Sequence, residues 1–87
     1  MSIATEKPRL SRLFRLQWEE VQGAYVLLYP EGMVQLNDSA AQVLKRCDGH
    51  RNIRQIVQDL ERAFSTSGLR HDVEDFLQVA IERGWVV

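Results

Sequence analysis

Nine residues, Tyr29-Pro30-Glu31-Gly32-Met33-Val34-Gln35-Leu36-Asn37, restrict the possible folds more than any other part of the chain. Pro30 has the fixed φ suited to the second position of a type I turn, and Gly32 tolerates the positive φ that closes such a turn into a hairpin. Met33 to Leu36 then reads as a short strand. Asn37 offers a side-chain oxygen to the free amides of a helix that starts at once. A strand is thus joined to a helix with no loop between them, so the strand's position in its sheet also fixes where the helix begins.

The residues before this junction supply the rest of the sheet. From Leu13 a period of two sets in: Phe14, Leu16 and Trp18 alternate with Leu13, Arg15 and Gln17, the pattern of a half-buried strand. Glu19 to Gly23 is polar and ends in glycine, which makes it a turn. Ala24 to Tyr29 is aromatic and branched on both faces, as expected of the central strand in a three-stranded antiparallel meander. The Met33 strand is then an edge.

Three helices follow. Ala40, Val43, Leu44 and Cys47 share one face of the first, which is expected to end at Asp48-Gly49. Asn52 and Gln55 form a capping-box pattern at the start of the second, whose apolar face is Ile53, Ile56, Val57, Leu60 and Phe64. The third carries Leu69, Val73, Phe76, Leu77, Ala80 and Ile81 on one side and stops at Gly84. Trp85-Val86-Val87 is an apolar tail able to fold back over the core. The order is βββααα, an α+β fold with a three-stranded antiparallel sheet before three helices. This is the inventory of a winged helix-turn-helix with its sheet placed first. Residues 1–87 read as one domain, with the polar residues 1–8 expected to be disordered.

Chemistry is nearly absent. His50 and His71 have no histidine or cysteine at ligand spacing, so neither a metal site nor a catalytic histidine is expected. Cys47 falls on the apolar stripe of the first helix and reads as a buried structural thiol, and Asp48 as a turn residue. No glycine pattern cradles phosphate, and no serine has a nucleophile's setting. The chain is not expected to be an enzyme on its own. No run is apolar enough to span a membrane, and a cytoplasmic protein is expected.

Charge separates the binding classes. Eleven basic and twelve acidic residues give a net charge of −1, with no general attraction to nucleic acid or membrane. Residues 45–62 carry Lys45, Arg46, Arg51, Arg54 and Arg62 against Asp48, Asp59 and Glu61. The third helix and its flanks carry only Arg70 and Arg83 against Asp72, Glu74, Asp75 and Glu82. That is the wrong sign for a recognition helix in a phosphate-lined groove, although a small winged-helix DNA-binding module remains the rival reading. What is left is the edge. Met33 to Leu36 contains no lysine, proline or bulge to guard it, so it is open to an extended peptide. On the residues alone, masking by the N-terminal arm or the Trp85 tail, or pairing in a homodimer, would use the same edge.

Leu28 to Asn37, followed by Ala40, Leu44, Cys47-Asp48-Gly49, Ile56 and Leu60, resembles the PqqD family of pyrroloquinoline quinone (PQQ) biosynthesis. The resemblance runs from about Pro8 to Trp85. It implies a peptide chaperone and recognition element for a ribosomally made precursor, PqqA. The precursor's leader would add as a strand to the third strand, in a cleft whose other wall is the third helix. The chaperone would present it to PqqE, a radical S-adenosylmethionine enzyme. It implies no cofactor for this chain, because the iron–sulfur clusters and S-adenosylmethionine belong to PqqE, in keeping with the lone Cys47. On this sequence the implied peptide-binding residues are Met33, Val34, Gln35 and Leu36 on the strand and Arg70, Val73, Phe76, Leu77 and Ala80 on the helix. Of these, Val34 and Leu36 are expected to face the core, as is Leu77.

Overall fold

The computed structural model describes residues 6–87. The elements come in the order β1 (Arg15–Glu19), β2 (Ala24–Tyr29), β3 (Gly32–Gln35), α1 (Asp38–Lys45), α2 (Ile53–Ala63) and α3 (Arg70–Glu82). The sheet is antiparallel with β2 in the centre. The expected βββααα fold is therefore the observed one, and the winged-helix label fits it only loosely because the sheet precedes the helices.

Strand pairing follows from side-chain alternation. Leu16 opposes Leu27, and Leu27 opposes Val34, so one face of the sheet carries these three together with Tyr25 and Leu36. The helices cover that face. The core is built from Leu27, Leu36, Ala41, Val43, Leu44, Ile56, Val57, Leu60, Val73, Leu77 and Ala80, closed by Trp85 and Val86. Trp18 lies at the end of the same face and stays half exposed, its ring edge-on to Tyr25 at 5.1 Å. α1 packs on β1 and β2, and α3 packs on α2. No described helix is long and apolar enough to cross a membrane.

The caps form as the sequence implies. Asn37 accepts the amide of Ala40 at 2.8 Å. Asn52 and Gln55 make the reciprocal bonds of a capping box, each 2.8 Å long. The Tyr29-to-Gly32 turn has two residues in its loop, with Tyr29 paired to Gly32. That pairing starts β3 one residue earlier than expected. Gly32 itself is almost extended, at φ 159°, and not left-handed.

Two expectations fail for reasons of tertiary contact. The first helix ends at Lys45, not at Asp48-Gly49. The Arg46 guanidinium folds back to the Gln42 carbonyl at 2.9 Å and also binds the Asp59 carboxylate of α2, which stops the helix and ties it to its neighbour. Those contacts hold the Asp59 carboxyl below its ordinary range, the hydrogen bond from Arg46 contributing most. Asp48 then accepts the amides of His50 and Arg51, which shape the turn into α2 and lower its own pKa. The second failure concerns the arm expected to be disordered. Residues 1–5 lie outside the described residues, but Pro8 is fully buried.

The Pro8 carbonyl accepts the Gly49 amide at 3.1 Å, and the Leu10 amide donates to the Cys47 carbonyl at 3.1 Å. On its other side the arm pairs with the C-terminal tail. Arg9 and Val87 exchange two backbone hydrogen bonds, of 3.0 and 2.9 Å, and Leu10 bridges Val86. The arm thus fills the gap between the end of α1 and the tail, and the Trp85 tail covers the core as expected. Cys47-Asp48-Gly49 is the socket for the arm. Gly49 adopts φ 81°, and a Cβ there would lie 3.3 Å from the Arg9 Cβ. Gly49→Ala is therefore expected to cost about 1–3 kcal/mol in urea unfolding. Gly23→Ala, at φ 62° with nothing within 4 Å, provides the strain-only comparison and should cost less.

Candidate groove between the third strand and third helix

The amide of Leu36 donates to the Tyr25 carbonyl at 3.0 Å. In an antiparallel ladder, hydrogen-bonded pairs alternate with non-bonded ones. With Leu36 and Tyr25 bonded, the register makes Leu27–Val34 and Tyr29–Gly32 the other bonded pairs. The N–H and C=O groups of Met33 and Gln35 therefore point away from β2, toward the open edge. Of the four strand residues implied as peptide-binding, Met33, Val34, Gln35 and Leu36, the register leaves only Met33 and Gln35 with main-chain groups free at the edge. Their side chains face the outer side of the sheet, with Met33 49% exposed. Val34 is half-buried and Leu36 buried on the core face, the division expected. Among the described residues nothing pairs with the outer edge of β3, because the N-terminal arm and the tail pair with each other instead.

α3 forms the other side. Val73, Leu77 and Ala80 are buried in the core. Helical spacing places Asp72, Phe76, Val79 and Arg83 on an adjoining stripe, at i, i+4, i+7 and i+11. Two cavities mark where this stripe comes nearest to β3 and its continuation into α1. One, of about 450 Å³, lies between Val34, Tyr29, Phe14, Arg83 and Trp85. The other, of about 440 Å³, is bounded by the start of α1, the end of α2 and the first half of α3. Asn37, Asp38, Phe64, Asp72, Val73 and Phe76 are among its walls. The groove therefore runs from an arginine among aromatic rings to a recess with two rim carboxylates.

Val73 and Phe76 line the cavity beside α1, and Val34 lines the one beside Arg83. Met33 and Gln35 line neither cavity; they offer main-chain groups at the strand's open edge. Leu77 and Ala80 are fully buried and also line neither, as was expected of Leu77. Leu36 is also closed into the core. Arg70 sits about 120° round the helix from Phe76. It binds Glu74 at 3.1 Å, on the flank away from the stripe. Val79, Asp72, Tyr29 and Trp85 were not among the expected peptide-binding residues, whereas Arg83, like Arg70, stood at a helix end where it could meet acidic residues of a leader. Val79 carried a signal: an aliphatic residue outside the main apolar stripe of a helix, here 40% exposed.

A chain with this fold and groove can be placed among known proteins. The family described as coenzyme PQQ synthesis protein D (PqqD) matches residues 24–86. The chain belongs to the PqqD family. A "PqqA binding protein" of Azotobacter vinelandii is 55% identical over 80 residues, spanning 91% of this chain and 87% of the relative. One from Methylococcus capsulatus is 51% identical over 77 residues, spanning 88% and 83%. The solution structure of the PqqD portion of Methylobacterium extorquens PqqCD superposes with a TM-score of 0.77. It is 33% identical, and the match covers 92% of this chain and 87% of that one. That protein is described as a functional, stand-alone recognition element for ribosomally synthesised, post-translationally modified peptides. Membership of the PqqD family places this chain in coenzyme PQQ synthesis, in a family of peptide-binding and not catalytic proteins.

Cys47 agrees with that assignment. Its thiol donates to the Val43 carbonyl at 3.3 Å, and burial, assisted by neighbouring Asp48, pushes its pKa up to about 12. A thiol held protonated is no nucleophile. It should resist thiol reagents at neutral pH until the chain unfolds. The ordinary value is 9.0, so folding binds this proton more tightly, and stability should fall as pH rises from about 9 toward 12. The division between core and groove is tested by substitution. Leu77→Ala should cost about 2–5 kcal/mol of stability. Val79→Ser, on the exposed stripe, should stay within about 0.5 kcal/mol.

Proposed function

We propose that this chain is the peptide chaperone for PqqA: it binds the precursor as an added strand along the outer edge of β3 and presents it to PqqE. The observation that carries this reading is the open edge itself. Met33 and Gln35 turn their main-chain donors and acceptors outward, and α3 carries half-buried Phe76 and exposed Val79 outside the main core stripe. Strand addition draws affinity from such main-chain bonds and specificity from flanking pockets. The relatives' name, PqqA binding protein, supplies the guest. Presentation to PqqE is then a matter of effective concentration: a tethered peptide meets the enzyme more often than a free one. This division of labour fits a cytoplasmic protein that carries no cofactor of its own.

The DNA-binding alternative finds little support in the basic patch. Lys45 lies over the Tyr25 ring at 5.3 Å, and Arg46 and Arg51 are engaged with Asp59 and Asp48. A homodimer formed through two β3 edges would compete with the peptide for the same groups.

Gln35→Pro tests strand addition directly. Proline at 35 removes a donor that points to the open edge and leaves the bonds to β2 in place. The variant should fold normally by circular dichroism yet bind PqqA at least about tenfold more weakly in calorimetry, as expected from one lost hydrogen bond and a blocked approach. Unchanged affinity in a folded variant would rule out this edge as the site.

A further inference from the structure

We propose that Arg83 reads an acidic side chain of the guest peptide and thereby fixes the direction in which the guest lies in the groove. The inference rests on the strand-addition reading above. Arg83 projects at the Gly32 end of the groove, into the cavity it shares with Val34, Tyr29, Phe14 and Trp85. Its guanidinium lies 5.4 Å from the Trp85 ring centroid and makes no ion pair among the described residues. An arginine stacked on an indole keeps its planar fork in one place, with its donors still free. Such a fork takes a carboxylate in bidentate fashion, and the surrounding rings limit its competition with water.

The far end of the groove has the opposite sign. Asp38 and Asp72 line the other cavity, and no basic residue is among its walls. A guest carboxylate is repelled there and attracted at Arg83. The eleven helical steps from Asp72 to Arg83 span about 16 Å. That is the length of about five residues of extended strand. The guest that fits is therefore an extended segment with an aspartate or glutamate at the Arg83 end. It carries neutral or basic residues about five positions away. A segment laid in reverse places its acid against Asp38 and Asp72, so the polarity selects one orientation from the two that a bare edge would accept.

A charge-swap experiment on the full chain tests this. The probe is the PqqA precursor peptide, together with a set of variants in which each acidic residue is changed singly to lysine. Binding is measured by calorimetry at low and moderate salt. Arg83→Glu is expected to weaken the native peptide about tenfold, and less as salt rises. One peptide variant, and only one, should bind the wild-type chain poorly and regain affinity on Arg83→Glu. Arg83→Gln, which retains most of the contact with Trp85, guards against a merely structural loss and should weaken binding without permitting the swap. The inference is overturned if Arg83→Glu binds the native peptide as the wild type does, or if no single peptide variant is rescued. Gln35→Pro run alongside keeps the two claims apart. If it abolishes binding while Arg83→Glu does not, strand addition stands and the role of Arg83 falls. If Gln35→Pro binds normally, the strand-addition reading itself fails.

Discussion

The hydrogen bond from the Leu36 amide to the Tyr25 carbonyl sets the phase of the β2–β3 ladder, and the organisation of the groove depends on that phase. Because bonded and non-bonded pairs alternate, it assigns Gly32, Val34 and Leu36 to the sheet and leaves Met33 and Gln35 facing outward. The same phase puts the Val34 and Leu36 side chains on the core face, where they anchor the strand under the helices. A slip of one residue would exchange both sets together, exposing Leu36 and burying Gln35. The core therefore enforces the arrangement of the edge.

The open edge also depends on where the two termini go. An arm and a tail with main-chain groups to satisfy could both have capped β3. They satisfy each other instead, through Arg9–Val87 and Leu10–Val86, and Cys47-Asp48-Gly49 receives the arm from the opposite side. The motif that looks most like chemistry, a cysteine beside an aspartate, is thus a fastening point. Its thiol is inert because it is buried. The chemistry of the molecule is confined to unpaired backbone, an apolar stripe and a few charges at the ends of a groove.

Local rules made much of this legible in the residues. The two asparagine caps, the central place of the doubly apolar Ala24–Tyr29 strand and the core-facing pair Val34 and Leu36 each follow from neighbours in sequence. Three features did not. The burial of Pro8 depends on Gly49, some forty residues away, and no local pattern announces it. The phase of the ladder is a tertiary property, so which amides face outward was hidden even though the strand was evident. On α3 the apolar stripe is wide enough to admit several rotations of the helix. Ala80 consequently looked as eligible as Phe76, and Arg70 as eligible as Arg83, although Leu77 was already expected in the core. Packing of α3 on α2 chooses one rotation, which leaves Arg70 bound to Glu74, sets Asp72 and Phe76 opposite the start of α1, and puts Arg83 in a cavity with Val34. The PqqD-family likeness points to this strand and helix as a whole; the side-chain contacts divide their residues between core and surface.

Residue-resolved amide hydrogen exchange, with and without the PqqA precursor, decides whether a peptide completes the ladder on β3. Strand addition requires alternation. The Val34 and Leu36 amides, already bonded to β2, exchange slowly in both states. Exposed Met33 and Gln35 amides exchange quickly alone and slow together when the peptide is added. Protection appearing elsewhere, on α1 and α2 for instance, with Met33 and Gln35 still exchanging quickly at saturating peptide, would contradict it.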